Sequence, residues 1–384
     1  LLKLTLGNTV YATSIVVSVF MAGLALGALV MSRYCDRISR RLRLYALLET
    51  LVTISALSLL WLLRAADSIY VWFYRRYEPS HAGLLMVQVV ISAGILLLPS
   101  LLMGSTLPLL GRFVTALQRE CGHLVGRLYA LNTLGAAAGC FLAGFVFIRE
   151  LGVMGTLYTA AALNLLVAFG GWFLSRFSAA TEAAQGEAAA GESIEAVSGR
   201  SPAGKFYLLV VAFFMSGLIC IGYELLWMRS IVHLLGGSTY VFSAVLTVYL
   251  VGNVIGAGIG SRLAKRVKTP AVGFAVSLCL LGLYGIFYLP LLISWMAPPL
   301  PVAHTLQAIY SHVPASYCAI SPLVNSTVLF LIPSIIMGAG FPMALQAWTN
   351  HMHKVGKSTG AAYGANTAGA VAGGIVTGLV LSSD

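Results

Sequence analysis

Apolar residues arrive in long runs, and polar residues are confined to the short breaks between them. Measured against the roughly 20 residues a spanning helix needs, ten runs qualify, at about 9–33, 42–64, 84–111, 125–148, 153–175, 206–228, 239–262, 271–295, 321–349 and 358–381. The alternating pattern of a membrane β-barrel is absent. The pattern predicts an all-α polytopic membrane protein, because hydrocarbon offers the backbone no partners and a helix satisfies its own N–H and C=O groups.

The breaks alternate in charge. Arg33, Arg37, Arg40, Arg41 and Arg43 follow the first run, and Arg112, Arg119 and Arg127 the third. Arg176, Arg200 and Lys205 flank the middle of the chain, Arg262, Lys265, Arg266 and Lys268 follow the seventh run, and Lys354 and Lys357 the ninth. Lys and Arg concentrate in cytoplasmic loops, so these breaks are expected on the cytoplasmic side. Opposite them lie 150–153 and 296–320, the latter without Lys or Arg; Arg75 and Arg76 in the expected loop 65–82 are the exception. Residues 178–204 are rich in Ala, Gly, Ser and Glu and predict a flexible cytoplasmic linker. It divides a first membrane half, 1–177, from a second, 205–384.

The two halves repeat one another. Residues 6–33 (LGNTVYATSIVVSVFMAGLALGALVMSR) register without gaps on 235–262, LPSLLMGSTLP (98–108) on IPSIIMGAGFP (332–342), and GRLYALNTLGAAAGCFLAG (126–144) on GAAYGANTAGAVAGGIVTG (360–378). Both copies enter the membrane from the same side, so the repeat is parallel, with an expected axis along the membrane normal. The span 205–229, ending in YELLWMR, has no counterpart ahead of residue 9, because Ser230 registers on Leu1. The expectation is a fragment of a six-plus-six bundle, with one further helix before the first copy and one after the second.

Composition agrees with the class. Hydrophobic residues form 59% of the 384 and charged residues 9%, against about 25% charged in soluble domains. The net charge of +11 sits in loops rather than in a basic stripe, which argues against nucleic acid as a partner; the lipid bilayer is the expected one. Six scattered cysteines, without metal spacing, are read as small apolar packers. The histidines (His81, His123, His233, His304, His312, His351, His353) fall in loops or at boundaries. No metal site, cofactor site or catalytic constellation is expected within these residues.

Small residues at four-residue steps (Gly23/Gly27, Gly252/Gly256/Gly260, Gly135/Gly139, Gly369/Gly373) predict close helix pairing. Pro99, Pro108, Pro333 and Pro342 each remove a backbone donor and are expected to bend their helices. Two acids lie inside apolar runs: Glu49, about two turns from the cytoplasmic boundary, and Glu224, near the outer end of its span. An intramembrane carboxylate either pairs with an arginine of a neighbouring helix or serves as counter-charge to a cationic solute or as a proton relay. Asn132 and Asn366, each followed by Thr, either line a cavity or bond between helices, holding the two halves together. With Tyr129 and Tyr363 they complete the set of substrate or ion-binding candidates.

GNTVYATSIVVSVFMAGLALGALVMSRYCDR, LPSLLMGSTLPLL, YALNTLGAAAGCFLAG and YELLWMR resemble the membrane region of bacterial proteins that fuse a major-facilitator-like bundle to a spermidine-synthase-like domain. The likeness covers nearly all the chain outside the linker and 296–320. It implies the bacterial cytoplasmic membrane, a polyamine or other small cation as solute, and a catalytic domain beyond residue 384 transferring an aminopropyl group from decarboxylated S-adenosylmethionine to a diamine. No catalytic residue of that domain falls on a position of this chain. SRYCDRISRR (32–41) resembles the major-facilitator loop that latches the halves, which would make Asp36 and Arg37 latch residues; the second copy reads SRLAKRVK, with Lys265 in place of the Asp. Two other readings remain beside this one: a plain secondary transporter of major-facilitator type, and a non-transporting anchor or regulator of a cytoplasmic enzyme.

Overall fold

The computed structural model describes residues 10–35, 38–77, 81–117, 121–177, 203–235, 238–267, 269–296, 314–349 and 355–380. Among them every regular element is helical: α1 (Val10–Tyr34), α2 (Arg41–Tyr77), α3 (His81–Leu117), α4 (Cys121–Leu142) with a π-helical turn at Ala143–Phe147, α5 (Ile148–Phe177), α6 (Ala203–Leu235), α7 (Thr239–Arg266), α8 (Pro270–Met296), α9 (Pro314–Thr349) and α10 (Val355–Val380). Eight stretches among these residues are long and apolar enough to cross a bilayer. Large apolar side chains stand outward, Trp61 at 74% and Ile286 at 70% exposure, a surface that is favourable against lipid and costly against water. The protein is an all-α, multi-pass membrane protein.

The helices follow the apolar runs, with two informative differences. The runs 125–148 and 153–175 are joined without a loop: Gly152 alone leaves helical geometry, at φ 69° and ψ 179°. That left-handed φ costs glycine nothing, having no Cβ, and Thr156 Oγ1 donates to the Gly152 carbonyl at 2.7 Å where the helix resumes. The loop expected at 65–82 is instead mostly helix. With 37 residues, α2 is about 55 Å long, well beyond the roughly 30 Å hydrocarbon core. Its extra turns are fastened by Leu63 and Ala66 against Ile91 and Ile95 of α3. Arg75 and Arg76 thus lie in the last turn of α2, at the end remote from Arg41. The expected linker 178–204 falls outside the described residues up to 202.

The chain packs as two compact units, 1–125 with 157–225 and 351–384, and 126–156 with 226–350. Each unit draws on both sequence halves. In the first, α1 packs on α3 and also on α10; in the second, α7 packs on α9 and on the π-helical turn that follows α4.

Glycine seams explain this choice of partners, and repeat-related residues make matching contacts in both units. A Cβ on Gly27 would overlap the Leu101 carbonyl of α3, and one on Gly256 the Ile335 carbonyl of α9. Gly104 meets Leu24 as Gly338 meets Asn253. On the other side of the same helices, Gly378 of α10 faces Ser14 of α1, and Gly144 after α4 faces Ser243 of α7. Ser14 and Ser243 register on one another, as do Gly144 and Gly378. In lipid, where no hydrophobic effect drives helices together, such backbone-to-backbone approach supplies the dispersion contacts that hold a bundle.

The prolines sit inside continuous helices, Pro99 and Pro108 in α3 and Pro322, Pro333 and Pro342 in α9. Lacking an N–H, Pro333 leaves the carbonyl of Leu329 without its helical donor. The Tyr284 hydroxyl of α8 donates to that carbonyl, and its ring leans edge-on to the buried Trp227, itself stacked on Phe330 at 5.1 Å. Tyr284→Phe is expected to lower stability by about 1–2 kcal/mol, because a buried carbonyl loses its donor. In a Pro333→Ala background the same change should be nearly neutral, the restored N–H serving Leu329. A double-mutant cycle on thermal unfolding in detergent checks this, and equal costs in both backgrounds would refute it.

Candidate functional site

Three helices of the first unit pack together along the stretch of α6 that carries Glu224. Ile221 and Leu225 of α6 are buried with Ala370 of α10, and Val17 and Met21 of α1 pack against them. The helix α10 runs antiparallel to α1, with Gly364 against Leu29, Gly374 against Ser18 and Gly378 against Ser14. It runs parallel to α6, with Gly369 against Phe214, Gly373 against Leu218, and Thr377 beside Gly222. Glu224, half a turn beyond Gly222, therefore stands at the level of Ser14.

The polar groups here are acceptors in an apolar shell. Glu224 is partly buried and shares one helical stripe with Cys220 and Ser216, which hydrogen-bond one another. Ser14 and Ser18 are 4% and 6% exposed, and neither hydroxyl has a hydrogen-bond partner. A buried hydroxyl without a partner costs about 1–3 kcal/mol, so Ser14 and Ser18 on α1 and the Glu224 carboxylate on α6 form a set of groups with unused acceptor capacity in this unit. Among the described residues of this unit, no Lys or Arg lies within ion-pair distance of Glu224 or Glu49. Such a set can accept the N–H donors of a small organic cation.

Glu224 also lies deeper than its sequence position suggests. Its span was expected to end near residue 228, but α6 continues to Leu235. About three helical turns therefore separate the carboxylate from the helix end.

The other candidates are dispersed. Glu49 lies on α2, hydrogen-bonded by the Tyr45 hydroxyl one turn away; Tyr45 packs on Gly171 of α5. Asn366 is partly buried and donates through Nδ2 to the Phe213 carbonyl at 3.2 Å. Its bond joins α10 to α6, both from the second sequence half, rather than one half to the other. Asn132 is exposed on α4, although Thr133 beside it is buried. Tyr129 and Tyr363 lie on α4 and α10, with side chains outside the described residues, and Asp36 and Arg37 lie outside them altogether.

Two features escape a reading of the sequence. Arg41, grouped there with the loop arginines, is 2% exposed and donates from Nε to the Cys35 carbonyl at 3.4 Å. It closes the last turn of α1, where a cation complements the helix dipole. Ser14 and Ser18 carry no motif; only their spacing of four, matching Gly374 and Gly378, could have marked them as one face of a seam. No family model matches the chain, and no curated protein sequence matches it.

Proposed function

We propose that this chain is the membrane module of a polyamine-related protein of the bacterial cytoplasmic membrane, of the kind that fuses a major-facilitator-like bundle to a spermidine-synthase-like domain. Its α1/α6/α10 contact binds a small organic cation, a diamine or polyamine. The observation that carries this reading is Glu224: a carboxylate well inside a spanning helix, with no Lys or Arg among the described residues of its unit within ion-pair distance. A bare carboxylate in hydrocarbon is costly. An ammonium group offsets that cost, and the Ser14 and Ser18 hydroxyls supply further acceptors.

Proteoliposomes holding the purified protein and offered radiolabelled putrescine or spermidine test the proposal. Saturable binding is expected, competed by other polyamines and not by neutral amides of similar size. Uptake into the lumen identifies a transporter; binding without uptake identifies a sensor or anchor. If neither polyamine binds above protein-free liposomes, the cation reading is wrong. Aminopropyl transfer by the complete parent polypeptide tests the synthase link separately.

A further inference from the structure

Arginines gather at one end of the first unit without acids to match. The Cys35 carbonyl, just past α1, accepts from Arg41 at the start of α2. Gly171 of α5 lies against Leu42 and Tyr45, where a Cβ would stand 3.2 Å from the tyrosine ring. The end of α1, the start of α2 and the end of α5 therefore come together. Arg33 is in the last turn of α1 and Arg176 in that of α5; Arg40 precedes α2 and Arg43 is in its first turn. All four are exposed, and none makes an ion pair among the described residues. A cation in a last turn complements its helix dipole, which accounts for Arg33 and Arg176. Arg40 and Arg43 instead stand at the positive end of α2, where a cation is unfavourable, and no acid occupies the first turn of that helix. Glu49, about two turns further along α2, is engaged by Tyr45.

One of the four is held in a particular pose. The Arg176 guanidinium lies over the Trp172 ring, 3.9 Å from its centroid. Stacking occupies the flat face of the group and leaves its N–H donors, which lie in the plane, as an open fork. Such a fork matches two oxygens of a phosphate. The rings beside it are bare: Phe177 is 73% exposed, and Trp172 and Phe173 are exposed as well. Aromatic rings at the end of a spanning helix sit where acyl chains meet headgroups. We infer that this end of the first unit is a docking surface for an anionic phospholipid. The Arg176 fork takes the phosphodiester, Arg33, Arg40 and Arg43 supply the surrounding positive charge, and Trp172 and Phe177 pack on the acyl chains. A free anion gains nothing from exposed rings, and a zwitterionic lipid brings its own ammonium to offset the phosphate, so an anionic amphiphile is the partner that satisfies both features. This inference is independent of the solute read at Glu224.

Native mass spectrometry of the purified protein, offered equal amounts of phosphatidylglycerol and phosphatidylcholine, tests the assignment. The unsubstituted protein should retain phosphatidylglycerol in preference. Arg176→Gln should lower that retention about fivefold, the worth of one arginine at an anionic surface. Trp172→Leu keeps an apolar side chain but removes the ring beneath the fork, and should lower it nearly as far; Arg176→Lys, which keeps the charge without the fork, should fall between. Both positions are exposed, so unchanged size-exclusion profiles are expected for all three variants. Lys265→Gln removes a charge from the last turn of α7 and should change retention less than about twofold. Equal losses in Arg176→Gln and Lys265→Gln would show attraction to net charge alone and overturn the inference. Displacement of the lipid by millimolar glycerol phosphate would do the same, because it identifies a site for soluble phosphate. Equal retention of the two lipids by the unsubstituted protein contradicts the inference directly.

Discussion

Gly256→Leu is expected to lower the unfolding temperature by roughly 5–10 °C, while Gly258→Leu, half a turn away on the same helix, leaves it unchanged or slightly raised. A Cβ at 256 overlaps the Ile335 carbonyl oxygen and comes within 2.8 Å of the Ala339 nitrogen. Both are backbone atoms of α9, so no rotamer change relieves the clash and the helices must separate. Overpacking in cores costs about 1–3 kcal/mol where side chains can yield; here the cost is set at the upper end or above, because the whole α7–α9 seam opens. Gly258 has open space where its Cβ would stand, and leucine there gains helix propensity. Gly27→Leu, its counterpart in the first copy, should behave as Gly256→Leu does, since it meets Leu101 in the same way. Size-exclusion profiles after a temperature series separate these variants. Equal midpoints for the 256 and 258 variants would show that the seam does not hold the bundle.

Glu224→Gln is expected to weaken polyamine binding roughly 100-fold while leaving the protein folded. The amide keeps the shape of the side chain, removes its charge and turns one of its two acceptor oxygens into an N–H donor. Two charges at contact distance attract by about 4 kcal/mol even at an effective dielectric of 20, and about 2.7 kcal/mol corresponds to the stated loss. Glu224→Asp, which withdraws the charge by one methylene, should fall between. Glu49→Gln should change binding less than threefold (under about 0.7 kcal/mol), because its carboxylate is engaged by Tyr45 on the α2 face and takes no part in the α1/α6/α10 contact. Isothermal titration of spermidine into detergent-solubilised protein reads all three. Undiminished affinity in Glu224→Gln, with the protein still monodisperse, would remove Glu224 from the site.

The two acids illustrate how far the candidate site was legible. Both stood out as carboxylates in apolar runs, which composition alone reveals. Their separation into a group hydrogen-bonded by Tyr45 on α2 and a carboxylate on the α6 segment that packs with α1 and α10 was not legible, because it depends on which helices lie opposite. The asparagines make the same point: Asn132 and Asn366 occupy equivalent positions in near-identical motifs, yet one is exposed and the other bonds Phe213. A local motif cannot encode the presence of its partner.

What the sequence determined by itself was class and element placement. Spanning length and apolar continuity follow from the energetics of backbone in hydrocarbon and are properties of single segments, and the repeat at 6–33 and 235–262 is read directly from the register of the residues. It also marked the glycine stripes, since the absence of side chains at four-residue spacing is written in the residues. Only the tertiary structure decided how the stripes were used: α10 joins α1 and α4 joins α7, so that each unit draws on both halves. A glycine face is equally close-fitting to any smooth helix, and the choice among partners belongs to the geometry of the whole bundle. The burial of Arg41 and the service of Tyr284 to the carbonyl left bare by Pro333 are decided the same way, by atoms brought together from distant parts of the chain.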